Sequence, residues 1–178
     1  MGKENIFENI DMKKIKEISG RVENNFDKVM EIVNGIIQPY CKALDEYVDF
    51  IQSLLDDTEQ PPTDQELDDF VLNLSTQIYF AGGMCEQLGI RDDISKAVWK
   101  EMYHTSRANI DKGTVADKDS LAELNAQQEQ IVNICYNRAY KIMRAKVENA
   151  QELLQSCKKV IGRRMQETEL TRMGGSGR

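Results

Sequence analysis

The chain has 178 residues, of which 40% are apolar, 30% charged and 7% aromatic, with only three prolines. With 23 basic and 30 acidic residues its formal charge is −7, which excludes a uniformly basic nucleic-acid coat. No apolar run approaches the roughly 18 residues needed to span a bilayer, and Met1-Gly2-Lys3-Glu4-Asn5 lacks the apolar stretch of a signal peptide. A soluble, cytoplasmic, membrane-free protein is expected.

A weak helix is expected over residues 4–18, ending near Gly20. From Val22 the apolar positions Phe26, Val29, Val33, Ile37, Tyr40, Leu44, Tyr47, Ile51 and Leu54 follow in steps of four and three. That heptad rhythm predicts a long helix burying a narrow seam. Gly35 and Pro39 should kink or briefly break it. Asp56 to Pro62 reads as a loop, and Thr63 with Glu66 forms the T-x-x-E box that opens a helix. Leu67, Phe70, Val71, Leu74, Ile78 and Tyr79 give that helix an apolar face, while Gly82, Gly83 and Gly89 mark its weak end. Asp92 or Asp93 then caps a helix carrying Ile94, Ala97, Val98, Met102 and Tyr103, which stops before Gly113.

After Asp117 there is no Pro or Gly until Gly162, and Leu121, Leu124, Ile131, Cys135, Ala139, Ile142, Ala150, Leu153, Cys157 and Ile161 supply one stripe. A single helix of about 45 residues, roughly 65–70 Å long, is predicted. No β-type alternation occurs. The expected fold is all-α, an elongated antiparallel helical bundle with long coiled-coil-like helices, oligomeric. Residues 1–62 form an acidic helical segment with the kinked helix. Residues 63–173 form a helical domain ending in a long basic helix, and Gly174-Gly175-Ser176-Gly177-Arg178 reads as an added linker.

Charge is unevenly placed. Residues 1–90 hold seven basic against 18 acidic residues, and residues 91–178 hold 16 against 12. The acidic excess peaks between Asp45 and Asp69; the basic excess peaks between Arg138 and Arg164. A charge-polarised molecule or oligomer is the expectation. The cysteines Cys41, Cys85, Cys135 and Cys157 form no CxxC pair, and the one histidine, His104, leaves no zinc set. Cys135 and Cys157 fall in apolar stripes, as reduced, buried thiols do.

Chemistry-bearing patterns are scarce. Gly82-Gly83 lacks the spacing of a dinucleotide loop and the Lys-Ser/Thr of a P-loop. A triad would have to use His104, which has no evident partners and reads as a surface histidine. The reading is therefore no catalytic residues, no metal, no cofactor and no enzyme. The basic stretch is more informative, with eight cations and two anions over residues 138–164. At about 100° per residue Lys141, Arg144, Lys159 and Arg163 project within roughly a third of the helix circumference, opposite the apolar stripe. Such a face can follow a phosphate backbone, and Tyr136 and Tyr140 could stack on bases. The alternative is a solvated face with an ordinary Arg144–Glu148 pair and both tyrosines in a helix interface.

Tyr79-Phe80-x-x-Gly83, Asp93-x-x-Lys96-Ala97-x-x-x-Lys100-x-x-Tyr103, Arg138-Ala139-Tyr140-Lys141 and Lys158-Lys159-Val160-Ile161-x-Arg163-Arg164-Met165 together resemble phage proteins related to the UvsY-type recombination mediators. The likeness covers roughly residues 78–169, about half the chain, and none of these strings is a strict signature. It implies a non-enzymatic, ring-forming helical protein of the host cytoplasm that binds single-stranded DNA, contacts the phage single-strand binding protein and helps load a RecA-like recombinase. The basic positions that would carry DNA are Arg138, Lys141, Arg144, Lys158, Lys159, Arg163 and Arg164. Leu153, Leu154, Val160 and Ile161 would carry oligomerisation. The acidic N-terminal half departs from a small basic mediator. A second reading uses that half: Asp56, Asp57, Glu59, Asp64, Asp68 and Asp69 form an anionic face for a basic host protein, such as a nuclease or defence complex to be inhibited. A third is a purely structural coiled-coil assembly factor.

Overall fold

The computed structural model describes residues 11–56 and 59–175, with side chains to residue 173. The described residues are all-α, with no strand: α1 Met12–Leu55, α2 Asp64–Ala108, α3 Val115–Asn125 and α4 Gln127–Gly175. Asp11 opens α1 by accepting the backbone N–H groups of Lys13 and Lys14. The predicted box at the start of α2 is complete. The Thr63 hydroxyl accepts the Glu66 N–H while Glu66 accepts the Thr63 N–H, and these bonds hold the Glu66 carboxyl below its ordinary value. Thr114 and Asp117 repeat the device at α3, just after Gly113, whose φ of +121° turns the chain where an L side chain would be strained.

One core joins α1, α2 and α4. Val33, Ile37, Cys41, Leu44 and Ile51 of α1 meet Leu67, Phe70, Leu74, Ala81, Cys85 and Leu88 of α2. Both sets meet Cys135, Ala139, Met143, Val147, Ala150 and Leu154 of α4. Arg164 near the end of α4 bonds Asp64 at the start of α2, and Asn133 and Asn137 reach Asp92. These contacts make α4 antiparallel to α2. Tyr47 reaches Asp69 near the start of α2 and Tyr40 reaches Arg91 further along it, so α1 is antiparallel to α2 and runs in the same direction as α4, with Asp45 beside Lys146.

Five expectations need correction. Residues 12–18 are no separate helix but the first turns of α1; residues 4–10 lie outside the described residues. Gly35 and Pro39 do not break α1. Pro39 loses the bond to the Gly35 carbonyl, but the burial of Val33, Ile37, Cys41 and Leu44 on both sides holds the helix through it. Likewise α2 runs through Gly82, Gly83 and Gly89, because Ala81, Cys85 and Leu88 are buried around them. Neither Asp92 nor Asp93 opens a helix, since α2 runs through both, and the Asp92 carboxylate accepts from Asn133 and Asn137 across the seam. Finally, the single long helix is divided at Ala126, which leaves helical geometry at ψ 11°. Tyr103 and Arg107 both bond Asp119, which draws α3 back onto the end of α2. Past that break α4 keeps 49 residues, about 73 Å, and carries Gly162 inside it.

Part of the charge asymmetry of the sequence is paired off within the molecule. The chain returns on itself, so the acidic turn region sits at the same end as the basic part of α4, and Asp45–Lys146 and Asp64–Arg164 pair across it. No helix among the described residues is long and apolar enough to cross a membrane.

Candidate nucleic-acid interface

The buried positions Cys135, Ala139, Met143, Val147, Ala150, Leu154 and Cys157 define the inward face of α4. With 3.6 residues per turn, Lys141 and Lys159 project about 180° from its centre. Their 18-residue separation is about 27 Å along the axis. Arg138, Arg144 and Arg163 flank them on the same outer face, and all five are exposed.

The seven candidate cations are not equivalent. Arg164 points towards the inward side and is half-buried, donating to the Pro62 carbonyl and to Asp64 at 2.8 and 2.9 Å. It fastens α4 to the start of α2. Arg144 donates to Glu148 at 2.8 Å, the anticipated i,i+4 pair. Arg163 lies 3.9 Å from Glu167, a loose contact. Arg138, Lys141, Lys158 and Lys159 make no ion pair among the described residues and are exposed. Glu148 and Glu152 also project outwards between the two basic ends, so the positive face is two clusters rather than one stripe.

Of the two tyrosines, Tyr140 packs against Gly89, where an added Cβ would come within 3.3 Å of its ring. It packs against the core and serves the helix interface. Tyr136 lines a groove between α2 and α4 of about 440 Å3, together with Arg91, Ile94, Ser95, Val98, Gln128, Glu129 and Val132. Sequence reasoning placed Ile94, Val98 and Met102 on a helix face; all three are exposed, and Ile94 and Val98 line this groove. The buried Ser95 and the Asn133 amide that bonds it and Asp92 were missed. Nothing in their spacing signals a contact across 38 residues of sequence.

Of the acidic candidates, Asp56, Glu59, Asp64, Asp68 and Asp69 are exposed around the α1–α2 turn, and Asp57 lies outside the described residues. Asp64 is committed to Arg164. His104 is exposed, its ring edge-on to Tyr103. All four cysteines are free and buried. Burial pushes their thiols up, that of Cys41 to about 11 with the help of Asp45. Leu154 is in the core and Leu153, Val160 and Ile161 are half-buried against it, so these four pack within the chain. Among the described residues no group of three His, Cys, Asp or Glu side chains is arranged to hold a metal ion. No protein-family model, no curated protein and no solved structure matches the chain.

Proposed function

We propose that this is a non-enzymatic helical accessory protein of DNA recombination, of mediator type, that binds single-stranded DNA on the outer face of α4 beside a single-strand binding protein and a RecA-like recombinase. One observation carries the reading: Arg138, Lys141 and Lys159 are exposed and unpaired among the described residues on the face away from the core, with Lys158 exposed and unpaired at its edge. Backbone binding needs cations that are positioned yet not already neutralised. A 49-residue helix positions them without loops. The resemblance of residues 78–169 supports the same role.

Fluorescence anisotropy of a labelled oligo-dT strand tests it. Binding that weakens steeply with salt, and is abolished by Lys141→Glu with Lys159→Glu, is the expected result. Absent or salt-insensitive binding overturns it. The second reading, an anionic face for a basic host protein, draws on Asp56, Asp68 and Asp69, which are exposed and make no ion pair among the described residues. Retention of a basic partner from host lysate that is lost in Asp68→Asn with Asp69→Asn favours it.

A further inference from the structure

The core stops part-way along the bundle. Its α1 members begin at Val29, its α2 members end at Leu88 and its α4 members begin at Cys135. Beyond that level α1 continues as an unbroken helix to Met12, and residues 11–28 are all exposed. Yet α2 runs on for 17 residues past Arg91, the residue that bonds Tyr40 of α1 and packs its guanidinium over that ring. A helical surface is therefore at hand for the arm of α1, and the arm does not lie on it.

Two unpartnered apolar surfaces result. On the arm, Ile15, Ile18, Val22 and Phe26 are 45–58% exposed and continue the face that Val29, Val33 and Ile37 bury lower down. On the body, the groove walled by Ile94 and Val98 of α2 and Val132 and Tyr136 of α4 includes Arg91, the residue that bonds Tyr40 of α1. Through Arg91 the groove adjoins the seat of α1.

Charge agrees with this match. Glu129, at the groove, has a buried carboxylate oxygen, Oε2, with no hydrogen-bond partner. On this half-buried side chain that one oxygen is an unsatisfied acceptor, which a donor seated in the groove would satisfy. The arm carries Lys14, Arg21 and Lys28 seven residues apart along one edge of its apolar stripe. None has an acidic partner among the described residues. Such edge positions are where paired helices place their specifying charges.

We propose that the arm of α1, residues 12–28, docks into the α2–α4 groove of a second copy of this chain, reciprocally, with Arg21 of the arm meeting Glu129 of the groove. The two seats form one twofold dimer, because each chain gives one arm and receives one. The inference does not depend on DNA binding.

Sedimentation velocity of the full chain over a concentration series tests it. A dimer is expected, reverting to monomer in Val22→Asp with Phe26→Asp on the arm, and equally in Val98→Asp with Val132→Asp in the groove. All four side chains are exposed, so unchanged helicity by circular dichroism separates lost association from lost folding. Arg21→Glu and Glu129→Lys should each weaken the dimer by about tenfold, and their combination should restore it. Arm-broken and groove-broken chains, mixed, should form a heterodimer through the one intact seat. A chain that stays monomeric at about 100 µM overturns the proposal. So does a dimer indifferent to both pairs of aspartates. A monomer whose hydrodynamic radius grows in the arm variant puts the arm in its own groove and also overturns it.

Discussion

The salt dependence of DNA binding separates the structure's account of α4 from the one its sequence suggests. For single strands the log–log slope of affinity against salt is about −0.7 per phosphate neutralised. Seven cations would give a slope of about −4.9, and affinity would fall about 900-fold between about 50 and about 200 mM salt. Among the described residues four are free, since Arg164 is tied to Asp64 and Pro62, Arg144 to Glu148 and Arg163 loosely to Glu167. Four give a slope of about −2.8 and a fall of only about 50-fold over that range. Lys141→Ala and Lys159→Ala should each flatten the slope by about 0.7. Arg164→Ala should leave it unchanged and instead cost at most about 1 kcal/mol of stability, because Asp64 is largely solvated. The assay is anisotropy of labelled oligo-dT at five salt concentrations for wild type and the three variants. A wild-type slope near the steeper value that flattens on Arg164→Ala, or one indifferent to both lysines, refutes the assignment of the face.

Other predictions concern the scaffold. Gly82 and Gly83 have nothing within 4 Å of an added Cβ, so Gly82→Ala or Gly83→Ala should stabilise by about 0.5–1 kcal/mol in denaturant melts. Gly89→Val must push the Tyr140 ring away and should destabilise by about 1–3 kcal/mol. Met143→Ala, at a fully buried site shared by α2 and α4, should cost about 2–5 kcal/mol. The native thiols should resist iodoacetamide at pH 8, because burial raises all four above the free value. The sign of the linked pH effect follows. Above the unfolded thiol value the unfolded chain releases protons that the native Cys41 keeps up to about 11. Stability is therefore full below that unfolded value and should fall as pH rises towards 11, less so in Cys41→Ala.

The helical class, the heptad of α1 and the start of α2 were legible because their signals are local. Thr63 and Glu66 are three residues apart, and the heptad of α1 needs only its own spacing. What failed was punctuation. Glycine and proline count against a helix by roughly 1 and 3 kcal/mol each, and at Gly82, Gly83 and Pro39 the burial of Ala81, Cys85 and Ile37 outweighs them. Conversely Ala126, a strong helix former, ends α3, because Asp119 is held by Tyr103 and Arg107 from another helix. The basic face was legible as a periodicity, but not which of its cations are spent. Arg164 and Asp64 are 100 residues apart, and only the return of the chain joins them.

The arm and the basic face make a joint prediction, because they occupy different sides of α4. Glu129, Val132 and Tyr136 of the groove project on the side opposite Lys141 and Lys159, so an arm seated there leaves the cations open. A reciprocal dimer then presents two basic faces on one rigid body. A strand long enough to touch both binds the second face at an effective concentration set by the dimer, which can raise affinity by about 100-fold or more without any new contact. Val22→Asp with Phe26→Asp should therefore leave affinity for a short strand within about twofold while removing the gain on a long one. The measurement is the ratio of the two affinities by anisotropy in wild type and variant. Equal losses on both strands refute the separation: they would mean that the arm touches DNA itself, through the unpaired Lys13, Lys14, Lys16 and Arg21, and that the groove is not where those charges reside.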